Sequence, residues 1–196
     1  EGIVKTVDDF GAQGSPPTDP ELLDWLAVEF RESGWDTKRL LRLIVSSDAY
    51  SRSSRIAAGR SSFPRVRLPA ALVRDQALAA SGLLVYKIGG APVKPYQPTG
   101  VWEEATFGNK RYTQDKGEAL YRRSLYTFWR RIVGPVEFFD TQARSICTVK
   151  PTRTNSPLHA LTTLNDTTFV EAARVLAEHA MVASPKPDER VKFAFE

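Results

Sequence analysis

The chain has 196 residues, 42% hydrophobic and 26% charged, with a formal net charge of +4. This is globular composition rather than disorder, and no apolar run of about 18 residues offers a membrane span. A single cysteine, Cys147, excludes an internal disulfide, a CxxC zinc cluster and a CxxCH haem attachment. The charge is uneven: residues 1–36 carry two basic and nine acidic groups, residues 37–74 nine basic and one acidic.

Residues 1–17 read as an extended, turn-rich lead-in, broken by Gly11, Gly14, Pro16 and Pro17. Thr18 and Glu21 then fit a capping box, followed by the apolar stripe Leu22, Leu23, Leu26, Ala27 and Phe30. Gly34 predicts the stop and Asp36 the cap of a second helix, whose buried stripe would be Leu40, Leu41, Ile44 and Val45. Residues 46–69 are a serine-rich, basic surface connection. A third helix starts near Pro69, with Leu72, Val73, Ala77, Ala80 and Leu84 at helical spacing.

The stretch "KIGGAPVKPYQPTG" predicts a loop, Val101–Thr106 a short helix, and Gly108–Asn109 a turn. Residues 115–132 read as a helix capped by Asp115 and Glu118. Tyr121, Leu125, Phe128, Trp129 and Ile132 would form its inner face, and Gly134–Pro135 would close it. "SICTVKP" is the best strand candidate. Asn155 or Ser156 caps a helix that begins at Pro157 and carries Leu158, Leu161 and Leu164. Asn165 and Asp166 end it and cap the next helix, Thr167–Met181. Its core face would be Phe169, Ala173, Leu176, Ala177 and Ala180, with Glu171, Arg174 and Glu178 as an exposed ladder. Residues 188–196 read as the truncated start of one more helix. The whole predicts a mainly α fold: a single compact helical domain over 1–196, with long ordered loops and at most a short β-hairpin.

No nucleophile elbow, P-loop, Rossmann fingerprint or HExxH occurs, so no reaction is assigned. The candidate catalytic residues are His159, as a proton carrier, and Asp166. The candidate anion ligands are Arg74, Arg122, Arg123, Arg153 and Asn155, because the guanidinium fork suits carboxylate, phosphate or sulfate. No metal site is expected, since His159 has only His179 for company. The competing structural roles are capping for Asn155 and Asp166, surface pairing for the arginines, and backbone hydrogen bonding for His159. Trp102, Trp129 and Tyr96 could stack on a sugar ring or simply fill the core. The basic middle segment raises nucleic-acid binding, but no recognised motif supports it.

Several stretches, among them "SGWDTKRLLRLIVSSDAYSRSS", "RLPAALVRDQALAASGLL", "YRRSLYTFWRR" and "TRTNSPLHALTTLNDTTFVEAARVLA", together resemble the Domain of Unknown Function 1553 family over nearly the whole chain. The sequence departs from the family's usual pattern at Ala71, His159, Thr162 and Thr163, and in a shorter loop after Tyr50. The resemblance implies a planctomycete protein, exported to the periplasm or cell surface. This chain would be an excised C-terminal module, and haem c would belong only to an upstream cytochrome-c-like domain. Its partners would then be the upstream domains of the same polypeptide. The prominence of caps and apolar stripes over reactive groups makes its expected role that of a scaffold or docking domain. The alternative is an enzyme or binding domain for anionic polysaccharide with an arginine-rich pocket.

Overall fold

The computed structural model describes residues 2–9, 11–54, 67–130, 133–135, 138–140, 149 and 153–195. Ile132 and all of "SICTVKP" except Val149, Cys147 included, lie outside the described residues. The fold is mainly α and the chain divides into two compact units. One holds residues 1–67 and 148–150, the other residues 68–147 and 151–196. Among the described residues there is no β-strand. Two isolated parallel bridges join Val85 with Arg122 and Val93 with Thr127. No helix among them is long and apolar enough to cross a membrane.

The first unit is a helical hairpin, α1 (Pro20–Glu32) and α2 (Thr37–Val45). Asp19, not Thr18, is the α1 cap: its carboxylate accepts from the Leu22 amide at 3.0 Å. Thr18 is drawn away from that role because its hydroxyl and its amide both donate to the Ile3 carbonyl. Gly34 turns the chain with φ +73°, and Asp36 caps α2 by accepting from the Arg39 amide, as the residue types require. The expected buried stripes are not realised, since neither helix contains a buried residue. Leu40 is half-buried, but Leu41, Ile44 and Val45 are 60%, 41% and 50% exposed. A two-helix hairpin has too little depth to enclose an apolar face.

All the buried apolar side chains among the described residues belong to the second unit, including Leu78, Trp102, Leu120 and Phe169. Here α3 (Ala70–Ala80) packs on α6 (Thr167–Ala183), and α6 also packs on α5 (Pro157–Asn165) and α7 (Pro187–Phe195). The short helix α4 (Val101–Ala105) buries Trp102 against Tyr112 and Phe128. The buried faces are rotated from those expected. α3 buries Ala70, Arg74 and Leu78, while Leu72 is 48% exposed. α5 buries His159 and turns Leu158, Leu161 and Leu164 outward. α6 buries Thr168, Phe169, Ala172 and Ala180, leaving Ala173 and Ala177 exposed.

The largest correction concerns the helix expected over 115–132: residues 115–130 do not form one. The chain makes two short 3-10 turns, Gly117–Tyr121 and Ser124–Tyr126, and is otherwise extended up to Arg130, the last of this stretch to be described. Arg74 explains this. Its side chain is 0% exposed, and it donates to the carbonyls of Leu120 (2.8 Å) and Arg122 (3.0 Å) and to the Ser124 hydroxyl (3.3 Å). Its neighbour Asp75 accepts from the Ser124 amide at 2.7 Å. The Tyr121 and Tyr126 carbonyls are taken by the Val85 and Val93 amides. A helix would need the 120–122 carbonyls for its own amides, and here they have stronger, partly charged donors. Asp115 likewise is no cap. Its carboxylate accepts from the Lys94 amide at 2.7 Å, and its own amide returns a bond to the Lys94 carbonyl.

Arg74→Leu strands these carbonyls in the interior. It is expected to cost about 3–5 kcal/mol by urea denaturation. Arg74→Lys should restore only part of the loss, because an ammonium lacks the planar fork that reaches both carbonyls.

Candidate functional site around His159

The first turn of α5 carries His159, and its local sequence explains the placement. Pro157 at the first helical position fixes the entry, and the His159 amide bonds the Ser156 carbonyl. The ring is buried and stacks on Phe139 with centroids 4.2 Å apart and planes 19° from parallel. The Nε2 atom lies 3.6 Å from Asp140 Oδ1 and 3.5 Å from Thr154 Oγ1. The Thr154 amide donates to Asp140 Oδ2 at 2.8 Å, and its hydroxyl makes a short bond to Oδ1. Asp140 has φ +60°, a left-handed backbone in which aspartate is among the better tolerated side chains.

Of the remaining candidates, Asp166, Arg74, Arg122 and Arg123 have their described contacts elsewhere. Asp166 sits seven residues beyond His159, about 10 Å further along the helix direction, and caps α6 by accepting from the Thr168 amide at 2.9 Å. Arg153 and Asn155 flank Thr154 in an exposed stretch. Arg74 and Arg122 do meet, but through an internal bond from Arg74 to the Arg122 carbonyl. The Arg122 guanidinium donates to the carbonyls of Ala91 and Lys87 at 3.1 Å each, and more tightly to that of Gly89. It also lies 4.0 Å over the Tyr126 ring. Arg123 is half-exposed and 3.9 Å from Asp75. Trp102 is a core residue, its indole nitrogen donating to the Gln97 side chain.

A second cluster joins three separate segments: Tyr96, Tyr121 and Glu171. The Tyr121 hydroxyl donates to Glu171 Oε1 at 3.0 Å. Burial first, then the Tyr121 hydroxyl and Glu171 carboxylate beside it, push the Tyr96 phenol well above its ordinary range. Burial raises Tyr121 as well. Glu171 is therefore half-buried and engaged, not part of an exposed ladder. The ladder reduces to the surface pair of Arg174 and Glu178.

A family model described as "PSD1: Protein of unknown function (DUF1553)" matches residues 1–196. The chain belongs to this family. No curated protein and no solved structure matches it.

In this PSD1 chain the described contacts of His159 do not have the arrangement of a nucleophile relay. Such a relay needs the carboxylate and the hydroxyl on opposite imidazole nitrogens. Here both approach Nε2, and the Thr154 hydroxyl already donates to the carboxylate. The group acts as a clasp that ties residues 139–140 and 154 to α5. Among the described residues, no three His, Cys, Asp or Glu side chains converge as a metal set. Asp140 was not legible as the partner of His159, because nothing in "FFDT" announces a contact with a residue 19 positions on. Tyr121 and Glu171 are 50 residues apart and carry no shared motif.

Two outcomes follow for the PSD1 chain. Asp140→Ala removes both acceptors of Thr154 and places alanine in a left-handed conformation, so thermal or urea unfolding should register a loss of about 2–3 kcal/mol. The second concerns alkaline pH. Unfolded phenols ionise near about pH 10, whereas Tyr96 and Tyr121 in the fold keep their protons to higher pH. Above that value the unfolded chain binds fewer protons than the folded one, so stability falls as pH rises. Urea midpoints at about pH 9 and about pH 11 should diverge, and the divergence should shrink in Tyr96→Phe and Tyr121→Phe.

Proposed function

We propose that this PSD1 chain is a non-catalytic helical scaffold, docking to other domains of the same exported, cytochrome-c-associated polypeptide. The observation that carries the reading is the ridge on α5. Leu158, Leu161 and Leu164 recur at three-residue spacing and are 68%, 58% and 73% exposed. A row of leucines left in water on a helix is the kind of surface that a partner covers. The α2 face, with Leu41, Ile44 and Val45, has the same character.

The side chains that suggested chemistry give the reading further support. Arg74, Arg122, His159 and Asp166 each hold part of this fold through hydrogen bonds to backbone or nearby side chains. Those roles leave the anionic-polysaccharide alternative without Arg74 and Arg122 as its clamp.

In the full-length protein, Leu158→Glu, Leu161→Glu and Leu164→Glu together should weaken association with the haem-bearing domain by at least about tenfold, equivalent to about 1.4 kcal/mol. Because these side chains are outside the core, the unfolding midpoint should barely move. If the haem domain keeps its potential and its electron-transfer rate after the module is removed, the scaffold reading fails.

A further inference from the structure

The second unit carries an open groove of about 320 Å³. Its lining includes Pro92, Leu125, Tyr126, Thr127, Phe128 and Trp129. Three of four consecutive side chains are therefore aromatic, on a segment held extended by its pairing with Val93. The Val93 amide donates to the Tyr126 carbonyl at 2.8 Å, and the Phe128 amide to the Val93 carbonyl at 2.7 Å. The Thr127 amide is bonded to the Ser124 carbonyl. Tyr126 is fixed further by Arg122 over its ring and by the Gly89 amide on its hydroxyl. Trp129 stacks on Phe138, with centroids 6.0 Å apart. The walls are thus preformed, which lowers the entropy lost on binding.

One cation lies against a groove ring, and a second lies against the core residue Trp102. Lys94 Nζ is 5.4 Å from the Phe128 centroid, and Arg130 Cζ lies 5.6 Å over Trp102, whose ring contacts Phe128. Neither cation has a carboxylate partner among the described residues. Thr127 adds a buried hydroxyl with no hydrogen-bond partner, a group that is costly to leave unsatisfied.

We propose that this groove binds a segment of acidic polysaccharide, with a pyranose face on the aromatic rings and a uronate carboxylate drawn to Lys94 beside Phe128. Three features select that occupant. The groove is open, which admits a chain rather than a small closed ligand. Several main-chain groups of residues 126–128 are already bonded, so ring faces dominate what the groove offers, and a peptide seeking strand pairing finds less there. The cations are few, whereas single-stranded nucleic acid is followed by a continuous basic track. The lining includes neither the α5 ridge nor Arg74, Arg122, Arg123 or Arg153.

Titration of the full chain with tetragalacturonate, followed by tryptophan fluorescence and calorimetry at low salt, tests the proposal. Saturable binding is expected, weakening as salt rises. Trp129→Ala should reduce affinity by about tenfold and Lys94→Gln by about threefold. Leu125→Asp, at a side chain 76% exposed, places a repelling charge on the rim without touching the core and should abolish binding even if Trp129→Ala misfolds. The α5 triple variant should bind the saccharide normally, so failure here and failure of the docking reading are separable. No saturable binding overturns the proposal. So does equal affinity for a neutral gluco-oligosaccharide, tighter binding of an octathymidylate or a polyglutamate peptide, or indifference to Lys94→Gln and Leu125→Asp.

Discussion

A guanidinium without solvent contact must find hydrogen-bond acceptors inside the protein, because a buried unpaired charge is among the costliest things a fold can contain. Arg74 meets that requirement with the carbonyls of Leu120 and Arg122 and the hydroxyl of Ser124. Much of the second unit follows from this choice. With those carbonyls engaged, residues 117–126 form two tight turns instead of a helix. The extended backbone between and after them aligns with Val85 and Val93. The Arg122 side chain is then free to gather the carbonyls of Lys87, Gly89 and Ala91. One buried cation organises a turn, and the turn places a second cation that organises the loop of residues 87–91.

The same logic governs the other polar clusters. Asp140, Thr154 and His159 bring together segments that hydrophobic packing alone would leave loosely defined. Tyr121 and Glu171 do so between a 3-10 turn and α6. In a unit with an apolar core of modest size, directional polar contacts supply uniqueness of structure. Arg74, Arg122, His159 and Asp166 each make hydrogen bonds that hold parts of this fold. The apolar features left exposed are ridges on α2 and α5, and an aromatic groove with Lys94 against its Phe128 ring.

Local signals were legible wherever the physics is local. Asp36, Asp166, Pro157 and Gly34 act within one helical turn of their own positions, and each does what its chemistry requires. Helices at 20–32, 37–45, 101–105 and 167–183 were therefore foreseeable from periodicity and punctuation. Even at this range Thr18 misled, because Ile3, 15 residues earlier, competes for its hydroxyl. Of the candidate site, His159 was recognisable as unusual, but its partner Asp140 was not.

The sequence by itself determined that the chain is mainly helical, where most helices start and stop, and which family it belongs to. Only the tertiary structure decided which helix faces are buried, that residues 115–130 are not helical, and that two arginines face inward. The reason is that periodicity records a helix's own amphipathicity, whereas burial depends on what packs against it. Arg74 illustrates this. It is hydrophilic by composition and central by position, because carbonyls 46 and 48 residues away lie within its reach.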